Sequence, residues 1–263
     1  ISGNKRELLM TKIIKTISEW KQLKKSYELK EKKIGFVPTM GALHSGHISL
    51  IETCINENDI SVVSIFVNPT QFNDPKDLER YPRTFEDDLQ LLEKFKVDFL
   101  FYPGAKEIYP DNFKYRVVED ELSKILCGAF RPGHFEGVLT VVLKLLNIIQ
   151  PDRAYFGEKD YQQYKLIDGM CKAFFLDIEI IPRPTVREEN GLAMSSRNLL
   201  LTKEERILAA NFPRLLASEK SAEEIKSELE KLGFKVDYIT DLEGRRFGAV
   251  YVGKARLIDN VQL

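Results

Sequence analysis

Two histidines three positions apart, His44 and His47, stand in the stretch Pro-Thr-Met-Gly-Ala-Leu-His-Ser-Gly-His that runs from Pro38 to His47. The apolar run Ile34 to Val37 precedes them, and Ile48, Leu50, Ile51 and Ile55 follow at the spacing of a helix's inner face. The pattern is a strand, a glycine loop and a helix start. Such a junction offers unpaired backbone N–H groups and the positive end of a helix dipole, so it suits an anion such as a phosphate, which the two imidazoles could flank. Other chemistries fail on particular residues. Gly41 and Gly46 have Walker A spacing, but His47 and Ile48 stand where Lys and Ser or Thr are required. The loop carries no G-x-G-x-x-G, and two His without a nearby Cys or third His make a poor zinc site. The plain alternative is a pair of ordinary turn histidines. Against it, all three His of the chain fall in segments that read as ligand loops.

The remaining candidate groups lie at strand ends and helix starts. Arg131-Pro-Gly-His134 is a turn ahead of Phe135–Ile149, which is apolar almost all round and predicts a buried central helix. Gly157-Glu158-Lys159-Asp160 closes a short strand, and Lys159 meets anions as a point charge. Gln71 follows the β-branched run Ile60–Val67, and Gln163 lies one turn beyond Lys159; each offers a donor and an acceptor to a hydroxy acid. In the loop Gly191–Asn198, Ser195, Ser196 and Arg197 read as a mobile phosphate clamp whose charge is unpaired without phosphate. Thr84-Phe-Glu-Asp87 resembles a capping box, which puts Asp87 and Asp88 in a first helical turn, where carboxylates favour the dipole.

His-x-Gly-His on a first strand-to-helix loop resembles the signature of the class I nucleotidyl-transfer superfamily, and the longer stretch resembles the pantothenate synthetase family. Phe66–Phe72, Tyr81–Thr84, Arg131–Phe135, Gly157–Asp160 and Met194–Asn198 agree with that family in order and spacing. The resemblance runs from about Ile34 to Leu201 and returns weakly at Lys254–Asn260, with a C-terminal region that looks short for the family. It implies a ligase that uses ATP and Mg2+ to join pantoate to β-alanine through a pantoyl adenylate, releasing pyrophosphate and AMP, as a homodimer. It implies catalytic roles for His44, His47, Lys159 and Arg197, with His47 as a proton donor of near-neutral pKa. ATP would meet Met40, Gly41, Ala42, Leu43, His44, Ser45, Gly46 and His47 on the first loop. It would also meet Gly157, Glu158, Lys159, Asp160, Val186, Met194, Ser195, Ser196 and Arg197. Pantoate and β-alanine would meet Pro38, Thr39, Gln71, Arg131, His134 and Gln163, and magnesium would be held by Asp88 or Asp87. Two alternatives stay open: a nucleotidyltransferase that leaves the nucleotide on its substrate, and a module that senses ATP without consuming it.

The elements that must position these groups predict an α/β fold. Residues 1–187 read as a Rossmann-like domain with a parallel sheet, and 188–263 as a smaller α+β lid domain hinged near Val186–Glu189. Strands are expected at Ile34–Val37, Ile60–Val67, Val97–Tyr102, Arg153–Phe156 and Ile178–Val186, with a brief element at Tyr115–Val118. Leu8–Lys33 reads as one helical segment around Trp20. In the C-terminal part, Thr202-x-x-Glu205 and Ser221-x-x-Glu224 predict helix caps, and Lys235–Ile239, Ala249–Val252 and Ala255–Ile258 short strands. With 263 residues, 43% of them hydrophobic, the chain can build a substantial core, and a net charge of −1 gives no electrostatic reason to bind nucleic acid. The apolar stretch Val138–Ile149 is interrupted by Lys144 and falls short of the roughly 20 residues of a membrane span, so no membrane partner is expected. Three Cys without a Cys-x-x-Cys suit a reducing cytoplasm. Ile-Ser-Gly-Asn at the start has no initiator Met and reads as a processed or appended end, with no signal peptide.

Overall fold

A computed structural model describes residues 10–26 and 29–263. The chain opens with β1 (Lys12–Ile14) and α1 (Ile17–Lys25), so the single helical segment expected over 8–33 is divided, and Leu8 and Leu9 lie outside the described residues. The division is local chemistry. Thr16 and Glu19 cap α1 reciprocally, which starts the helix late and frees Lys12–Ile14 to pair with a strand. Then follow β2 (Ile34–Thr39), α2 (Ser45–Glu57), β3 (Ile60–Ile65), α3 (Pro75–Arg80), α4 (Phe85–Lys94) and β4 (Phe99–Phe101). After α5 (Ala105–Ile108) and α6 (Cys127–Phe130) come α7 (His134–Ile149), β5 (Arg153–Gly157), α8 (Tyr161–Ala173) and β6 (Glu179–Arg183). Tyr115–Val118 forms no strand; side chains anchor its backbone, Tyr115 N–H donating to Asp111 Oδ2 (3.1 Å) and Val117 N–H to Thr140 Oγ1 (2.9 Å).

The six strands lie parallel in the order β1-β4-β3-β2-β5-β6. From β2 the chain winds outward through β3 and β4, then returns to β5 and β6 on the other side. The order therefore reverses between β2 and β5, and in open parallel sheets that reversal leaves a crevice at the carboxyl ends of the two strands. One face of the sheet is covered by α1, α7 and α8 around Trp20, Leu139, Leu146 and Ile167; the other is covered by α2 and α4 around Ile51, Leu92 and Leu100. Burial on both faces explains why the strands read as continuous apolar runs. Gly137 lets α7 press on the 3-10 turn Pro69–Gln71: a Cβ there would lie 2.4 Å from Thr70 O.

Beyond β6 come α9 (Lys203–Ala209), α10 (Asn211–Leu216) and α11 (Ala222–Lys231), then β7 (Lys235–Leu242), β8 (Arg245–Val252) and β9 (Ala255–Gln262). Thr202 and Ser221 cap α9 and α11 reciprocally with Glu205 and Glu224, as their spacing predicts. The three strands form an antiparallel meander with its own core of Phe212, Leu216, Ile225, Leu229 and Val250. The fold is thus the expected parallel sheet with a smaller α+β unit. The two units touch through β9, where Asn260 Nδ2 donates to Glu158 O (2.8 Å) and Lys159 O (3.0 Å) and Arg187 holds Asp259 with both Nη atoms (2.6 and 2.9 Å). They also touch through β7 and β8, where Tyr238 Oη lies 3.1 Å from Cys127 Sγ and Phe247 lies beside Tyr161. No helix among the described residues is long and apolar enough to cross a membrane.

Candidate active site

The crevice between β2 and β5 holds a cavity of about 240 Å3 whose lining includes Pro38, Thr39, Met40, His44, Gly46, His47, Gln71, Arg131 and His134. Gly157, Lys159, Asp160, Gln163, Val186, Met194, Ser195, Ser196 and Arg197 complete its polar wall. Residues scattered over some 160 positions of sequence are gathered in one place by the ends of two strands and the starts of three helices.

His44 is the N-cap of α2. Its Nδ1 accepts from Gly46 N–H (3.1 Å), while His47 Nδ1 accepts from His44 N–H (3.3 Å), and the rings lie tilted by 36° with 4.1 Å between centroids. Both Nδ1 atoms being acceptors, each neutral ring carries its proton on Nε2 and can donate it to a ligand. Gly46 has no room for a side chain: a Cβ would stand 2.9 Å from His44 Cε1 and 3.6 Å from Met194 Cβ, so the histidine loop also abuts the serine loop. Burial, with Lys159 next, lowers the His44 pKa to about 4, and burial followed by His44 and Lys159 lowers that of His47. The near-neutral pKa expected for His47 is therefore not that of the protein's own surroundings, which favour the neutral ring.

Asp88 differs from expectation. It is 3% exposed, and its two carboxylate oxygens accept from Ala42 N–H (2.9 Å) and Leu43 N–H (2.7 Å). Gly41 and Ala42 both have positive φ, 80° and 51°, and the carboxylate holds that otherwise strained turn in shape. Burial raises the Asp88 pKa against these bonds. Asp87 is exposed on the far side of the turn, and no group of three or more His, Cys, Asp or Glu suited to a metal occurs among the described residues. The two carboxylates form no protein metal cage by themselves; magnesium held here would need the nucleotide's phosphate oxygens as well. Thr84 is the N-cap of α4 but makes no side-chain cap bond, so the capping box read there does not form.

Gln71 is held from both ends. Its carbonyl accepts from His134 Nδ1 (2.8 Å) and Arg131 Nη2 (3.1 Å), its Oε1 from Asn68 Nδ2 (3.1 Å), and its Nε2 lies 3.1 Å from Met40 Sδ. His134 Nε2 in turn accepts from Arg131 Nη1 at 3.0 Å, so both ring nitrogens are committed inside the protein. Burial and then Arg131 lower its pKa to about 3. His134 thus lines the cavity as a support for Gln71 rather than as a free ligand group. Asn68, missed in the sequence, is 1% exposed and braces the same turn through Gly137 O and Tyr109 Oη. Its sequence signals were the Asn-Pro step at a strand end and its place in the family-like segment Phe66–Phe72.

On the opposite wall Lys159 approaches Asp160 at 3.4 Å, and Ser195 Oγ caps the 3-10 turn Ser196–Leu200 by accepting from Arg197 N–H (3.2 Å). Arg197 is not unpaired: its Nη2 reaches Asp77 of α3 at 3.1 Å. Tyr81 Oη lies 3.4 Å from Ser196 Oγ. Neither Asp77 nor Tyr81 stands out in the sequence as a site residue: Asp77 lies on a short helix linked to the site only through space, and Tyr81, though part of the family-like Tyr81–Thr84 segment, is a buried residue whose hydroxyl alone faces the serine loop. The residues Phe66, Val138, Val141, Val142 and Leu145 give the cavity floor an apolar patch.

The pantoate–β-alanine ligase family model matches residues 12–262. The chain belongs to this family. A pantothenate synthetase of Bdellovibrio bacteriovorus is 53% identical over 254 residues, spanning 97% of this chain and all of the relative. One from Legionella pneumophila is 50% identical over 251 residues, 95% of this chain and 99% of the relative. Among solved structures, the pantoate–β-alanine ligase of Francisella tularensis complexed with beta-gamma ATP and β-alanine superposes with a TM-score of 0.92 at 47% identity. It covers 96% of this chain and 97% of its own. The pantothenate synthetase of Thermus thermophilus gives 0.87 at 40% identity, over 96% and 99% of the two chains. The family match extends through β7, β8 and β9, so the C-terminal region read as short for the family has full-length counterparts of the same extent.

Proposed function

We propose that this chain condenses pantoate with β-alanine at the expense of ATP, through a pantoyl adenylate, with His44, His47, Lys159, Ser195, Ser196 and Arg197 as its phosphate-handling groups. The observation that carries the proposal is one cavity with cationic and N–H donors on one wall and Gln71 and Gln163 beside an apolar floor on the other. Polyphosphate suits the first wall. A small, branched hydroxy acid suits the second, its hydroxyl and carboxylate toward the amides and its methyl groups toward Val138, Val141 and Val142.

In the first step a pantoate carboxylate oxygen attacks the α-phosphorus of ATP, a P–O bond to it forms, and the α–β P–O bond breaks to release pyrophosphate. Negative charge grows on the phosphoryl oxygens and the leaving group. The Nε2–H donors of His44 and His47, the Lys159 ammonium and the Arg197 guanidinium lower that barrier electrostatically. His47 acts as proton donor once the phosphate's charge offsets its burial. In the second step the β-alanine amine attacks the acyl carbon, the amide forms, and AMP leaves with the bond electrons while the amine proton passes to solvent. No covalent enzyme intermediate is required. Mg2+ accompanying the nucleotide would supply further neutralisation of the phosphate charge. Residues 1–187 and 188–263 act as separate domains with the second as lid, in a cytoplasmic homodimer without nucleic-acid or membrane partners.

Labelled pyrophosphate should exchange into ATP when pantoate is present and β-alanine absent, because the first half-reaction reverses while its intermediate stays sheltered from water. Exchange that appears only with β-alanine, or accumulation of ADP, would exclude the adenylate. A nucleotidyltransferase would instead leave AMP attached to its substrate.

A further inference from the structure

A second cavity of about 300 Å3 opens beyond Arg197, between α3 and the small β-sheet unit. It shares Arg131, Lys159, Asp160, Ser195 and Arg197 with the first and adds Lys254 and Arg256 from the β8–β9 turn and β9. Its wall carries six Lys and Arg side chains against four Asp. The four acids are already engaged. Asp77 holds Arg197 (3.1 Å), Asp160 approaches Lys159 (3.4 Å), Asp259 holds Arg187 (2.6 Å), and Asp74 caps α3 by accepting from Lys76 N–H (2.9 Å). Arg256 binds Asp237 through Nε at 2.8 Å, yet its buried Nη2 has no hydrogen-bond partner among the described residues. Arg131 feels both neighbours: burial first, then the charges of Arg197 and Arg256, bring its pKa down to about 10. Arg197 and Arg256 each answer one carboxylate and Arg131 donates to Gln71 O and His134 Nε2, yet the cations of the wall still outnumber its acids, an arrangement that a polyanion relieves.

We propose that this second cavity is a receiving site for inorganic pyrophosphate, completed by Arg256 and Lys254, into which the leaving group passes from the reaction cavity between Arg131 and Arg197. The inference rests on the adenylate reading for the source of the pyrophosphate, but the site itself is a property of the free protein. Pyrophosphate carries more charge than orthophosphate and spreads its oxygens over two phosphorus centres, so it suits Arg131, Arg197 and Arg256 better than orthophosphate does. Holding the product there separates it from the adenylate and clears the first cavity for the amine.

The test is calorimetric titration of the full chain with pyrophosphate, orthophosphate and AMP, in the wild type, in Arg256→Gln and in Lys254→Ala. Pyrophosphate affinity should fall about tenfold in Arg256→Gln, equivalent to about 1.4 kcal/mol, and about threefold in Lys254→Ala. AMP affinity should stay within about twofold in both, and orthophosphate should bind the wild type at least about tenfold more weakly than pyrophosphate. Unchanged pyrophosphate affinity in both variants, or an equal loss for AMP, overturns the site. Lys254 is exposed on a turn, so its variant decides the matter if Arg256→Gln does not fold. Failure of the adenylate reading looks different: wild-type protein would bind pyrophosphate through Arg256 yet show no pantoate-dependent exchange.

Discussion

At the residue scale the site is a set of proton donors tuned by what surrounds them. His47→Ala should lower kcat at least about a hundredfold, roughly 2.7 kcal/mol of transition-state stabilisation, with a smaller change in ATP affinity; near-normal kcat in a rapid-quench assay would remove His47 from the chemistry. His44, with its pKa at about 4 in the free protein, is neutral at any ordinary assay pH. A bound triphosphate favours the imidazolium and raises that pKa. The complex then holds more protons than the free protein between the two values, so affinity for a non-hydrolysable ATP analogue must strengthen as pH falls through that window. Titrations near about pH 6 in buffers of different ionisation enthalpy should register uptake of up to one proton, and His44→Gln should reduce it. No uptake in the wild type would mean that the phosphate charge does not reach this ring.

At the element scale, what was legible in the sequence is what repeats in sequence. The histidine loop, the buried helix α7, and the reciprocal caps of α9 and α11 are all local patterns, and each stands where its pattern predicts. Two of the failures need non-local partners to explain them. β1 is three residues long and exists only because β4 lies beside it, and Asp88 looks like a dipole-stabilising carboxylate until the loop it binds is in view. Its two backbone bonds give a direct test of which role it has. Asp88→Asn replaces one acceptor oxygen by an NH2 group facing an N–H, and should destabilise the loop by about 1–3 kcal/mol and raise the KM for ATP. The magnesium concentration for half-maximal rate should not move, since the carboxylate supports the backbone rather than the ion. A selective shift in magnesium dependence, with unaltered thermal stability, would restore the metal role.

At the scale of the whole molecule, the wall proposed to meet phosphate carries Lys159 and Ser195–Arg197, and β9 contacts the segments that hold both. Asn260 clamps the Glu158 and Lys159 carbonyls, and next to it Asp259, with a side chain 2% exposed, grips Arg187 on the segment that leads from β6 to the serine loop. One strand therefore sets the position of Lys159 and of Ser195–Arg197 together. Asp259→Asn removes the charge that Arg187 answers; Asp259 also accepts from Asn260 N–H at 2.8 Å, so the change loosens both arms of the clamp. Breaking a fully buried pair costs about 3–5 kcal/mol, but Arg187 remains 31% exposed and water can take over part of its solvation, which lowers the expectation to about 2–3 kcal/mol. For a chain of this length that corresponds to a fall in Tm of roughly 4–12 °C. The kinetic signature is more telling than the thermal one: because the strand positions groups that meet phosphate and none that meets the amine, KM for ATP should rise several-fold while KM for β-alanine is unchanged. An equal rise in both, at a temperature where the variant is fully folded, would mean that β9 supports the cavity as a whole rather than its phosphate wall.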